Sequence, residues 1–152
     1  MAKTKPTTIL LIGEPNRRQR EADETIKPGN LLQLDADNKV VNHATAQGRH
    51  ARMVAVESDI TGDDLTHDYA AGEVVQVNVF RPGDEALLNL ADGENVSIGD
   101  YLVSDGAGRV QQADSNSAGE LEGSLVGIAL EAINLTDSSA ADPSFRIKTM
   151  FV

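Results

Sequence analysis

The chain has 152 residues, no cysteine, 3% aromatics and a formal charge of −11. That length suits one domain burying roughly 68–70% of its extended surface, while the missing thiols exclude disulfides and thiolate metal sites. No apolar run approaches the roughly 18 residues of a membrane span, and MAKTKPTTILLIG carries too short an apolar stretch for a secretory signal, so a soluble protein kept without export is expected.

Charge is uneven along the chain. Residues 1–27 hold Lys3, Lys5, Arg17, Arg18, Arg20 and Lys27 against Glu14, Glu21, Asp23 and Glu24, and the rest is strongly acidic. An acidic body repels the phosphates of nucleic acid and anionic membranes, so neither is expected as a partner. Within the first segment, Thr7-Thr8-Ile9-Leu10-Leu11-Ile12 has the β-branched, apolar character of a strand, and Arg17-Arg18-Gln19-Arg20 is a basic tetrad. Residues 1–24 are read as an extended N-terminal arm and residues 25–152 as a β-rich domain.

That domain opens with IKPGNLLQLDADNKV, Ile26 to Val40, and the phrase returns as VSIGDYLVSDGAGRV, Val96 to Val110. In each, a glycine followed by Asn or Asp (Gly29-Asn30, Gly99-Asp100) lets the chain turn sharply before a strand. Leu31-Leu32 and Tyr101-Leu102 begin that strand, Asp35–Asn38 and Asp105–Gly108 form short hairpin connections, and Lys39-Val40-Val41 and Arg109-Val110 start the return. Ala71-Gly72-Glu73 and Pro82-Gly83-Asp84 echo the first turn. Val54-Ala55-Val56-Glu57 and Gly127-Ile128-Ala129-Leu130-Glu131 share an ending, a small-residue strand closed by Glu.

Period-two alternation marks Val75–Val79 and Phe145–Phe151 as strands with one buried side. Asp84–Leu90 fits a strand or a single helical turn equally well. Gln111–Gly123 and Thr136–Pro143 read as polar loops. Turn residues every eight to twelve positions give an all-β class, a compact β-barrel or sandwich of short hairpins.

Reactive groups do not converge. His43, His50 and His67 lack zinc-ligand spacing and are read as exposed or turn histidines. Asp59–Asp68 is acid-rich but lacks the alternate ligands and closing Glu of an EF-hand, so it reads as a solvated loop. No serine sits in a G-x-S-x-G turn, and Gly13-Glu14-Pro15 lacks the further glycines and lysine of a phosphate loop. No catalytic residue, metal or cofactor is expected. One alternative is a carrier: lipoyl and biotinyl domains also set Gly-Asp before a strand and a modified lysine on a hairpin, and Lys39 is similarly spaced from Gly29. Their lysine directly follows Asp, whereas Asn38 intervenes here and the second copy has Arg109. A β-sandwich adhesin is the other alternative, although the absence of Trp leaves little to stack on sugars.

From Ile26 to about Ile133 the order of these phrases resembles the head decoration, or cement, proteins of tailed bacteriophages. The resemblance rests on Pro28-Gly29, on Tyr69-Ala70-Ala71-Gly72-Glu73 before a Val-rich strand, and on Val96-Ser97-Ile98-Gly99-Asp100-Tyr101-Leu102-Val103-Ser104. It implies a β-tulip-like fold on the outer surface of the expanded capsid, where the protein cements neighbouring subunits of the phage major capsid protein, usually as homotrimers at three-fold and quasi-three-fold sites. On that reading Ile9, Leu10, Leu11 and Ile12 clamp the coat as an added strand, and Arg17, Arg18 and Arg20 pair with its acids. Phe145, Ile147 and Phe151 are then expected at the trimer boundary.

Overall fold

In the computed structural model, which describes residues 7–113, 124–136 and 145–152, the repeated phrase folds twice into one device. Gly29 and Gly99 take φ of 94° and 90°, a left-handed region that a Cβ disfavours. Each glycine donates its N–H to an alanine carbonyl on a later strand, Ala55 or Ala129, at 2.8 Å. The same alanine donates back to the carbonyl after the glycine, Asn30 or Asp100. At the hairpin tips Asp35 Oδ1 accepts the N–H groups of Asp37 and Lys39, and Asp105 Oδ1 those of Ala107 and Arg109. The closing acids match too, since Glu57 accepts the Ile9 N–H and Glu131 the Lys148 N–H, both at 3.0 Å.

In chain order the described strands are β1 (Leu10–Ile12), β2 (Asn16–Glu21), β3 (Leu32–Leu34), β4 (Val40–Asn42), β5 (Met53–Val56), β6 (Val74–Val79) and β7 (Glu85–Asn89). They continue as β8 (Asn95–Val96), β9 (Tyr101–Ser104), β10 (Val110–Gln112), β11 (Leu125–Ala129), β12 (Ile133–Asn134) and β13 (Arg146–Phe151). One six-stranded sheet runs β1-β7-β13-β11-β9-β10 and a three-stranded sheet β2-β6-β5, beside the pairs β3-β4 and β8-β12. The all-β class is as expected. None of these sheets closes on itself, so the fold is packed open sheets and not a barrel. Asp84–Leu90 resolves as a strand because β1 and β13 pair with β7 on either side.

The expected arm takes a different form in the residues described. β1 pairs with β7 and β2 with β6 across its whole length, and Ile9 is fully buried. Backbone donors on β7 and β6 lie within the same chain, so this apolar segment pairs internally instead of extending away. Residues 9–22 are therefore woven into the domain expected to begin at residue 25.

Two apolar clusters hold the sheets. The larger joins Ile9, Leu31, Val54, Leu88, Leu102, Ile147 and Phe151, and the smaller joins Ile26, Leu32, Val40, Tyr69, Val75 and Val77. A polar chain links the first hairpin unit to the large sheet. Asn89 Nδ2 donates to Pro28 O (3.0 Å) and Asn30 Oδ1 (2.7 Å), Asn30 Nδ2 to Asn42 Oδ1 (2.8 Å), and Asn42 Nδ2 to Glu24 (3.0 Å). Buried amides need such partners, and here they fix how the unit seats on β7. The expected loops Gln111–Gly123 and Thr136–Pro143 fall mostly outside the described residues.

Candidate interaction surface

β1 and β2 lie on the outer edges of two different sheets, joined by the corner Gly13-Glu14-Pro15. All seven residues expected to contact the coat thus sit on or beside those edges, in unequal roles. Ile9 is core. Leu10 and Leu11 are half-buried against the core, and Ile12 is 59% exposed. A cavity of about 280 Å³ opens at the corner, lined by Leu10, Arg17, Val56, Glu57, Asp59 and Asn78 among others. Arg17 grips Asp59 with two hydrogen bonds of 3.1 and 2.9 Å, and this guanidinium holds the Asp59 carboxyl below its usual range. Both side chains are more than half exposed, so the pair positions the loop after β5 and adds little stability.

Arg18 and Arg20 differ from Arg17 in having no carboxylate partner among the described residues. Their guanidinium groups donate to carbonyls of their own strand, Arg17 O at 3.3 Å and Gln19 O at 2.9 Å. Arg20 Nε is buried and has no acceptor. Two uncompensated cations thus lie along an edge strand of a strongly acidic chain.

Two of the three residues expected at the trimer boundary lie inside the chain's own core. Ile147 and Phe151 are 0% and 1% exposed, and Phe151 stacks on Phe80 with ring centroids 4.7 Å apart. Side chains committed to the chain's own core cannot meet a neighbouring subunit. Phe145 is half-buried against the same core. The other side of that sheet carries a registered row across five strands, Ile12, Glu85, Met150, Ile128 and Tyr101, each at least partly exposed. Strand period marks the apolar face of β13 but could not tell whether that face meets the chain's own core or a neighbouring subunit.

Two histidines also depart from expectation. His43 is buried, with Nδ1 2.7 Å from Ser104 Oγ and Nε2 2.8 Å from Arg49 O. His50 sits edge-on to it at 6.3 Å, Nε2 meeting Leu125 O and Nδ1 accepting the Arg52 N–H. Burial pushes the His50 pKa down, helped by His43 and Arg52. His67 alone is exposed, near Asp63 and Glu73. Acids of the 59–68 loop divide in role: Asp63 and Asp64 accept from Thr61 and Thr66 within the loop, while Asp59 and Asp68 pair with Arg17 and Lys27 outside it. Lys39 is held by Glu21 at 3.0 Å and Asp23 at 3.6 Å, past the hairpin tip.

Open antiparallel sheets, built around a twice-used hairpin unit, define the class of this protein. No protein-family model matches the chain, and no curated protein sequence matches it either. Among solved structures its fold is similar to the head fiber gp8.5 N base of bacteriophage phi29, with a TM-score of 0.56 over 91% of this chain and 95% of that one, at 14% identity.

Proposed function

We propose that this chain is a structural protein of a phage head, seated on the outer surface of the capsid and cementing neighbouring major capsid protein subunits. One observation carries the reading: the fold match to a head fiber base spans nearly the whole of both chains. Ordered turn phrases resembling those of decoration proteins support it from the sequence side. A shell offers many identical sites, so modest contacts per copy add through avidity. The corner of β1 and β2 faces the coat in this reading, and Arg18 and Arg20 are its uncompensated charges. Assembly as a homotrimer belongs to the same proposal, with the row from Ile12 to Tyr101 as the self-contact in place of Ile147 and Phe151.

Mixing purified protein with undecorated expanded heads tests it. The protein is expected to co-sediment, to raise the temperature at which heads rupture, and to saturate in multiples of three per site. Absence of binding at micromolar concentration and low salt rejects the capsid role. Saturating binding by single copies rejects the trimer alone.

A further inference from the structure

We infer that the outer edge of β2 accepts an added β-strand, and that the strand it takes is acidic. In an antiparallel ladder a residue directs both its N–H and its C=O either toward the partner strand or away from it. Ala22 donates to Glu73 O beside β6 at 2.8 Å, while Asp23 donates the other way to Val40 O at 3.0 Å. By that parity Arg18 and Arg20 bond to β6, and Arg17, Gln19 and Glu21 point their backbone groups outward. Among the described residues the edge is met only by β4, at the Ala22–Val40 bridge, which leaves Asn16–Glu21 without a second strand, a length of about 20 Å at strand rise.

Charge chooses the occupant. Among the described residues Arg18 and Arg20 have no carboxylate partner along this edge, and the buried Arg20 Nε has no acceptor. A carboxylate on an incoming strand supplies that acceptor and frees the Arg17 and Gln19 carbonyls from the guanidinium groups now covering them. A second copy of β2 is a poor occupant, because antiparallel pairing would set arginine opposite arginine. The partner is therefore an acidic extended segment of another protein. Naming it as the coat subunit rests on the capsid reading above; the edge and its charge preference do not.

Amide hydrogen exchange on the full chain tests this with two probes. The first is a capped hexapeptide of alternating glutamate and valine, with a lysine–valine peptide as control; the second is undecorated expanded heads. The expected result is slowed exchange at the Arg17, Gln19 and Glu21 amides with the acidic peptide and with heads, and none with the basic peptide. Protection by the peptide without any binding to heads upholds the edge and removes the capsid reading. Failure of the acidic peptide to protect those three amides overturns the inference, while head binding that leaves them unprotected removes the coat as the occupant and spares the capsid reading. Gln19→Pro, which removes one outward N–H, is expected to weaken peptide binding at least tenfold relative to Gln19→Ala. Equal binding by the two variants, each confirmed as folded by its thermal midpoint, also overturns it; if the proline variant does not fold, the exchange pattern of the unmodified chain decides.

Discussion

In the first copy of the repeated unit, Pro28, Gly29 and Asn30 are buried, with Asn89 and Arg146 close against them. In the second, Ser97, Ile98 and Gly99 stand in solvent, Ile98 71% exposed. Their hydrogen bonds are nevertheless the same, glycine to alanine and alanine back to the next residue. Turn conformation is thus set locally by sequence, whereas the energetic weight of each position is set by what the rest of the chain lays over it.

Substitution of equivalent residues separates these two contributions. Asn30→Ala is expected to cost about 3 kcal/mol, since it breaks the amide chain between buried Asn89 and Asn42. Asp100→Ala, which loses bonds from Ser97 N–H and Gln112 at the surface, is expected to cost about 1 kcal/mol. Urea denaturation midpoints compare them, and equal losses would break the distinction between the copies.

Gly29→Ala and Gly99→Ala sharpen it further. Both strain a positive φ, worth about 1 kcal/mol. At Gly29 the new Cβ also comes within 3.2 Å of Asn89 and Arg146, whereas at Gly99 nothing lies within 4 Å. The first variant is expected to lose about 2 kcal/mol and the second about half that, read by the same midpoints.

At the hairpin tips the order reverses. Asp35→Ala and Asp105→Ala each release two backbone N–H groups, at about 1 kcal/mol. Asp105 additionally holds Arg109 Nε at 2.9 Å with its own side chain only 7% exposed, so the second copy is expected to suffer more here.

The smallest difference lies in pH dependence. The connection from β4 to β5 carries His43 and His50, whereas residues 113–124, the equivalent connection, carry no histidine. The His50 pKa is lowered below the ordinary 6.5, so the unfolded chain binds the proton first. Its contribution is present above pH 6.5 and is lost as pH falls from there through the folded value. Urea midpoints taken from pH 8 to pH 5 should decline over the lower part of that range, and His50→Gln should flatten the decline.

The hairpin units were legible because their signals are local: a glycine before Asn or Asp, and an aspartate four residues ahead of Lys39 or Arg109. Asn16–Glu21 was not legible as a strand. Its NRRQRE carries no apolar alternation, and it is extended only because β6, far along the chain, pairs with all six residues. Of the Thr7–Ile12 stretch read as strand-forming, Leu10–Ile12 is a strand, yet nothing in those residues distinguishes pairing with β7 from pairing with another protein. His43 looked like a surface residue because its Ser104 partner lies across the fold. That Arg18 and Arg20 have no carboxylate partner among the described residues was likewise invisible, since only the structure shows Asp59 paired with Arg17.

β13, last in chain order, lies third in the six-stranded sheet, between β7 and β11. Until residues 146–151 have been synthesised, the strands on either side have no common neighbour, and the β1–β7 edge is separated from the β11–β9–β10 half. Such distant closure folds slowly. A nascent chain therefore keeps an unfinished surface until β13 has emerged, and a fragment truncated before Arg146 would be prone to aggregate through strands that should have been joined.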